Sequence, residues 1–181
     1  MSNTPATPIP AAYRWLTTLA PAPRMIAEAL RLYGTQEAAG AANNPVILGW
    51  AREIGAKDYR ADSMAWCGLF LAVVAARAGQ TPPVGPLWAL NWQHFGTQAP
   101  KPSLGDVLVF VRPSGGHVGL YVGEDASAFH VLGGNQGDKV CILRVARTRL
   151  KAARRPMYAG VPATVRPITL ASGGALSRNE A

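Results

Sequence analysis

The sequence predicts an α+β fold, with helices in the first half and an antiparallel sheet in the second. Three observations lead there. Up to residue 95, apolar side chains recur at helical spacing between Gly and Pro breaks. From Asp106 onward they alternate or run together in short stretches, which is the pattern of strands. At 181 residues with 49% hydrophobic side chains, the chain is long enough for one domain with a sizeable core.

Residues 1–22 carry Pro5, Pro8, Pro10 and Pro21 in a Ser/Thr/Ala background and read as a flexible leader, from which Trp15 and Leu16 can dock. Residues 24–32 place Met25, Ile26, Ala29 and Leu30 on one helical face, and Gly34 ends the helix. A second helix runs from Pro45 to Ile54, with Asn44 as its cap and Pro45 at its first position, and stops at Gly55. The third starts near Cys67, with Asp62 or Ser63 as its cap, and continues to Gly79. A proline-rich break at 81–86 precedes a short helix at 87–95, where Trp88 and Trp92 lie one turn apart. Strands are expected at 106–112, 116–123, 128–132 and 139–146, forming a meander of four, with Met157–Val161 as a candidate fifth. The domain thus covers 23–161, and residues 162–181, rich in Thr, Ser and Gly, read as a flexible tail. No internal repeat is present.

Eighteen Lys and Arg against ten Asp and Glu give a net charge of +8, which suits an anionic partner. Arg144, Arg147, Arg149, Lys151, Arg154 and Arg155 form a basic run with no acid between them. Such a run reads as a solvated face, or as an electrostatic contact for anionic envelope polymers. No nucleic-acid recognition motif accompanies it, so a basic module binding nucleic acid is the weaker alternative. Two cysteines, Cys67 and Cys141, are too few for a disulfide framework, and no CxxC or His-rich spacing suggests a metal. Met1–Pro10 lacks the charged and apolar regions of a signal peptide, and the longest apolar run, Leu69–Ala76, is too short to span a bilayer. The expectation is synthesis in the cytoplasm, with any external role requiring release or a separate secretion route.

Chemistry concentrates at two places. Cys67, in Ala65-Trp66-Cys67-Gly68, opens a helix, where the positive end of the macrodipole favours a thiolate. Gly68 leaves room for a substrate backbone beside the sulfur. His117, in Gly115-Gly116-His117-Val118-Gly119, opens a strand with glycines on both sides, and an imidazole there can exchange the thiol's proton. A thiol read alone is more often a buried structural residue; the downstream histidine is what favours nucleophilic acyl transfer. A third polar group should orient the imidazole. Asn135, in Gly133-Gly134-Asn135-Gln136, is favoured, and His130 stays open as the other candidate. Asp62, Trp66 and Gln136 are placed to line the cleft and bind substrate. Each serves equally well as a cap, a core residue or a turn.

Taken together and in this order, Trp66-Cys67, Gly105-Asp106 before a strand, Gly116-His117-Val118-Gly119 and Gly133-Gly134-Asn135-Gln136 resemble the CHAP and NlpC-like cysteine amidohydrolases over roughly residues 24–158. The resemblance implies a papain-like architecture, with the nucleophile helix packed on an antiparallel sheet of four or five strands. It also implies bacterial peptidoglycan as substrate, cut by an amidase or an endopeptidase of the endolysin type. Cys67 is then the nucleophile, His117 the base and Asn135 the orienting residue, with no metal and no cofactor. Many CHAP enzymes carry a glutamate two residues before the asparagine, where this chain has Gly133. Many NlpC-like enzymes use a histidine on the next strand, near the place of His130.

Overall fold

A helix that is apolar all round has to be enclosed on every side, and Cys67–Arg77 is such a helix. Every residue from Cys67 to Ala75 is buried. In the computed structural model, which describes residues 7–113 and 115–177, it is the third of three α-helices: α1 (Arg24–Arg31), α2 (Pro45–Glu53) and α3 (Cys67–Arg77). Short 3-10 turns cover Ala11–Thr18, Ala89–His94 and Arg147–Arg149. The fold is α+β, as expected. Asn44 caps α2 as its sequence predicts, its Oδ1 accepting from the Val46 N–H at 2.8 Å. No side chain caps α3, because Asp62 is turned into the core and accepts instead from the Ala38 and Asn44 N–H groups, both at 2.8 Å.

One antiparallel sheet contains β1 (Thr97–Gln98), β2 (Val107–Arg112), β3 (Gly115–Glu124), β4 (Ala128–Gly133), β5 (Cys141–Ala146) and β6 (Leu150–Arg155), in the order β1-β6-β2-β3-β4-β5. The four-strand meander is therefore present as β2–β5. Val107, Val109, Val118, Leu120 and Leu132 join the helices in the main core, while Leu108, Phe110, Tyr121, Phe129, Val131 and Val145 form a second cluster. Burial of both sets explains the near-continuous apolar runs of these strands.

The extra strand is not Met157–Val161 but β6, which lies within the basic run and pairs with β2 from Val107 to Phe110. Its composition, Leu-Lys-Ala-Ala-Arg-Arg, has no apolar alternation to reveal it. Side chains hold it instead. Arg155 Nη2 lies 2.7 Å from Asp106 Oδ2, and Arg154 Nε donates to the Phe95 carbonyl at 2.7 Å. Arg144 is buried, with Nε 2.7 Å from Asp125 Oδ2, and the Arg147 guanidinium sits 4.7 Å over the Phe129 ring. The run is thus not a freely solvated face. Most of its arginines are committed to internal contacts.

Two further expectations need correction. The leader is docked: Ile9 and Leu16 are buried, and the Tyr13 hydroxyl lies 2.7 Å from His130 Nδ1. The tail is docked too. Around Thr169 it runs beside Glu124, with the Glu124 N–H donating to Ile168 O at 2.8 Å and the Leu170 N–H to Glu124 O at 2.9 Å. Apolar contacts made by Leu16 and Ile168 outweigh the Pro, Ser and Gly content that suggested mobility. Residues 1–6 of the leader, 178–181 of the tail, and Ser114 before the histidine strand lie outside the described residues. No described helix is long and apolar enough to cross a membrane.

Asp125 ties the far end of the sheet together. Its carboxylate accepts from the Ser127 and Ala128 N–H groups at 2.8 and 3.0 Å, from Arg144 Nε at 2.7 Å and from His130 Nε2 at 2.9 Å. The Arg144 guanidinium above all holds this carboxyl well below the usual carboxylate range. A lowered folded-state pKa means that the stabilisation is complete at neutral pH. It is lost as pH falls below the unfolded value of ~3.9 and on through the folded one. Asp125→Ala, which strands the buried Arg144, is expected to cost about 3–5 kcal/mol in urea unfolding at pH 7. A loss under ~1 kcal/mol, typical of exposed pairs, would show that the network is not a stabilising one.

Candidate active site

Three elements meet at the start of α3. Trp66, which precedes the helix, is fully buried, tilts against Trp50 at 6.0 Å between ring centroids, and donates its indole N–H to Glu37 Oε1 at 2.6 Å. Its fixed position places Cys67 as the first helical residue. The loop after β4 closes over this point because Gly134 has no side chain: a Cβ there would lie 2.5 Å from Phe70 Cβ and 2.8 Å from the Trp66 ring. Residues 86–87 cross the other side. A Cβ on Gly68 would collide with the carbonyl oxygens of Pro86 and Leu87. The space beside Gly68 is therefore filled by the chain itself and is not a place for substrate backbone.

Cys67 is buried, and burial is the largest influence on its thiol, pushing the pKa up. Opposing it are the Val118 N–H, which donates toward the sulfur, the positive charge of Arg112, and the N–H groups of Gly68 and Cys67 itself at the helix start. The last two are the helix-terminus effect anticipated from the sequence. Burial outweighs them, so the resting side chain favours the thiol. The Val118 contact places the sulfur against the residue that follows His117.

His117 is fully buried on β3, opposite Phe110 of β2, and its ring lies at 23° to the Phe110 ring with centroids 6.4 Å apart. Its Nε2 is 3.0 Å from Gln136 Oε1. The orientation of the glutamine amide follows from its other end: Gln136 Nε2 donates to the Val131 carbonyl at 3.1 Å and the Cys141 carbonyl at 2.7 Å. Two acceptors there require the NH₂ group, so the atom facing His117 is the oxygen. An amide oxygen only accepts, hence Nε2 carries the imidazole proton and Nδ1 is the basic nitrogen.

The orienting residue is thus Gln136, which the sequence placed in the substrate cleft. Asn135 is next to it and also buried, but its φ of 55° turns the side chain out of strand alternation, and its Oδ1 has no hydrogen-bond partner among the described residues. The Gly133 position shows why the longer amide serves. A Cβ there would be 3.0 Å from Gln136 Oε1 and 3.4 Å from His117 Nε2. The absent side chain leaves room for Gln136 to reach the ring. His130 is excluded as the third residue. It pairs with Gly123 near the other end of β3, on the order of 20 Å from His117 at the usual strand rise, and is engaged with Tyr13 and Asp125.

Asp62 and Trp66 are core residues, not substrate contacts. Of the three tryptophans near the helix start, Trp66 and Trp92 are fully buried and Trp88 is 60% exposed. Arg112 is a site residue that sequence reasoning missed; it ends β2 opposite Gly115, two positions past the partner of His117. Its place in the strand pairing was the available signal. Both cysteines are free, and among the described residues no group of His, Cys, Asp and Glu is arranged to hold a metal ion. No protein-family model matches the chain, and comparison with curated proteins returns no match.

Two outcomes follow from this geometry. In a Cys141→Ser background, alkylation of Cys67 by iodoacetamide is expected to be slow at pH 7 and to inflect above ~8.5, the free-thiol value. An inflection below that value would show that the N–H groups and Arg112 outweigh burial. Nitrogen NMR of the imidazole should lose the protected Nε2–H signal of His117 in Gln136→Ala and keep it in Asn135→Gly. The reverse pattern would restore Asn135 as the orienting residue.

Proposed function

We propose that this chain is a cysteine amidohydrolase of papain-like architecture that cleaves an amide bond in the peptide of bacterial peptidoglycan. The observation that carries the reading is a tautomer. Gln136 holds the proton of His117 on Nε2, which makes Nδ1 the nitrogen able to act as a base, while Cys67 opens α3 against the neighbouring Val118 N–H. A thiol, an imidazole with a defined basic nitrogen and an amide that orients it are the components of nucleophilic acyl transfer. The choice of peptidoglycan rests on the resemblance of the four motifs, in their order, to the CHAP and NlpC-like enzymes.

In this mechanism, His117 Nδ1 accepts the Cys67 proton as the sulfur attacks the amide carbonyl. The raised thiol pKa makes this transfer part of the attack, because a standing thiolate is disfavoured at rest. The tetrahedral oxyanion accepts from the Cys67 backbone N–H at the start of α3, and the loss of one such donor typically costs ~10²–10³ in rate. The imidazolium protonates the leaving amine through Nδ1. The same nitrogen then activates water to hydrolyse the thioester. Gln136 keeps Nε2–H fixed throughout. The alternative of a basic binding module has less support, because the arginines it would use are largely engaged internally.

Mass spectrometry of purified peptidoglycan incubated with wild type and with Cys67→Ala tests this directly. Soluble fragments are expected from the wild type alone, their masses identifying the bond, and His117→Ala should lower the rate by ~10²–10⁴ with the fold intact by circular dichroism. Release of fragments by Cys67→Ala at the wild-type rate would end the cysteine mechanism.

A further inference from the structure

Two depressions on the helical side of the molecule share Gly55, Ala56 and Tyr59, and so form one continuous groove. The larger part, about 550 Å³, is bordered by Ala65, two residues before the nucleophile, and by Pro86 and Leu87, whose carbonyls pack on Gly68. Its rim carries two large apolar side chains open to solvent, Trp88 at 60% and Met64 at 42% exposure. The smaller part, about 330 Å³, is lined by Arg52, Lys57 and Arg60, all exposed. Asp58 is the acid between them, and the nearby Glu53 is paired with Arg77 at 2.7 Å. The groove therefore changes character along its length. It is apolar beside the thiol and cationic at its far end.

From this gradient we infer that the groove is the subsite for the acidic arm of the substrate, a peptide with free carboxylates some residues away from the amide attacked by Cys67. This deepens the hydrolase reading and rests on it. The apolar stretch takes the aliphatic part of the peptide against Trp88 and Leu87, where a flat indole buries area without ordering a flexible side chain. The carboxylates reach Arg52, Lys57 and Arg60, which supply charge complementarity and selectivity between free-acid and amidated peptides. Trp88 and the three cations are specificity residues and take no part in bond breaking.

The test uses the full chain with Cys67→Ala, so that ligand is bound and not consumed. Calorimetric titration with a synthetic stem tetrapeptide carrying free carboxylates is compared with its fully amidated counterpart. Changing Arg52, Lys57 and Arg60 together to Ser should weaken the free-acid peptide about tenfold and leave the amidated one unchanged, while Trp88→Ala weakens both. Wild-type kinetics on the same peptide should show a raised KM and an unchanged kcat in the triple variant. Equal affinity for the two peptides, or a triple variant that binds as tightly as the parent, overturns the inference. The two readings fail separately. Cleavage by the wild type with KM unaltered in the triple variant removes the subsite alone, whereas charge-dependent binding without cleavage removes the hydrolase and keeps the groove as a peptide site.

Discussion

The primary amide of Gln136 is the interaction on which the site depends. Its two ends are used differently. The NH₂ group satisfies two carbonyls, Val131 and Cys141, and the oxygen accepts from His117 Nε2. Those carbonyls belong to β4 and β5, so the hairpin that carries the glutamine also prevents its amide from flipping. A flip would place an oxygen against two carbonyl oxygens and an NH₂ against an N–H, at the cost of several buried hydrogen bonds. The tautomer of a histidine on β3 is thereby determined by the pairing of the next two strands. Cys141 belongs to the same arrangement, its Sγ lying 3.2 Å from the Gln136 carbonyl oxygen. The second cysteine thus has a structural place that leaves the first free for chemistry.

The remaining construction brings a helix start to that histidine. A buried helix N-terminus leaves donors in need of partners, and α3 has no side-chain cap. Its position is enforced from outside, by the indole of Trp66 tied to Glu37, by the backbone of 86–87 over Gly68, and by the 134 loop over Phe70. Glycines at 68 and 134 permit these close approaches, since a Cβ at either position would force the layers apart. Enclosure has an electrostatic consequence. The thiol loses hydration and its pKa rises, although N–H groups and an arginine surround it.

Much of this was legible in the sequence, and the parts that were not have identifiable causes. The order of helices and strands, the Asn44 cap and the β2–β5 meander follow from periodicity and turn chemistry. The strand β6 escaped because it is held by Arg154 and Arg155 side chains, which leave no apolar alternation. The leader and the tail escaped for a related reason: a few buried anchors, Ile9, Leu16 and Tyr13 on one side and Ile168 on the other, order segments whose composition suggests mobility. At the site, Cys67 and His117 stand out by position, at a helix start and between glycines. The choice between Asn135 and Gln136 depends on a backbone twist, the positive φ at Asn135, that adjacent residue types do not encode. Trp66 and Asp62 looked like cleft residues because aromatic and acidic side chains serve cores and clefts equally well. Only burial separates the two uses.

Gly133 connects these points. Where the resembling CHAP pattern has a glutamate, this chain has no side chain, and the position lies within contact distance of the His117–Gln136 pair. A carboxylate at 133 would compete with Gln136 for the same N–H and would add a negative charge beside the imidazole. That charge would raise the basicity of the ring and favour a standing imidazolium–thiolate pair. A neutral amide gives orientation without charge. It is the partner suited to a buried thiol that stays protonated until substrate arrives. The glycine, the glutamine and the raised thiol pKa are therefore one consistent set, in which the proton moves during attack and is not displaced beforehand.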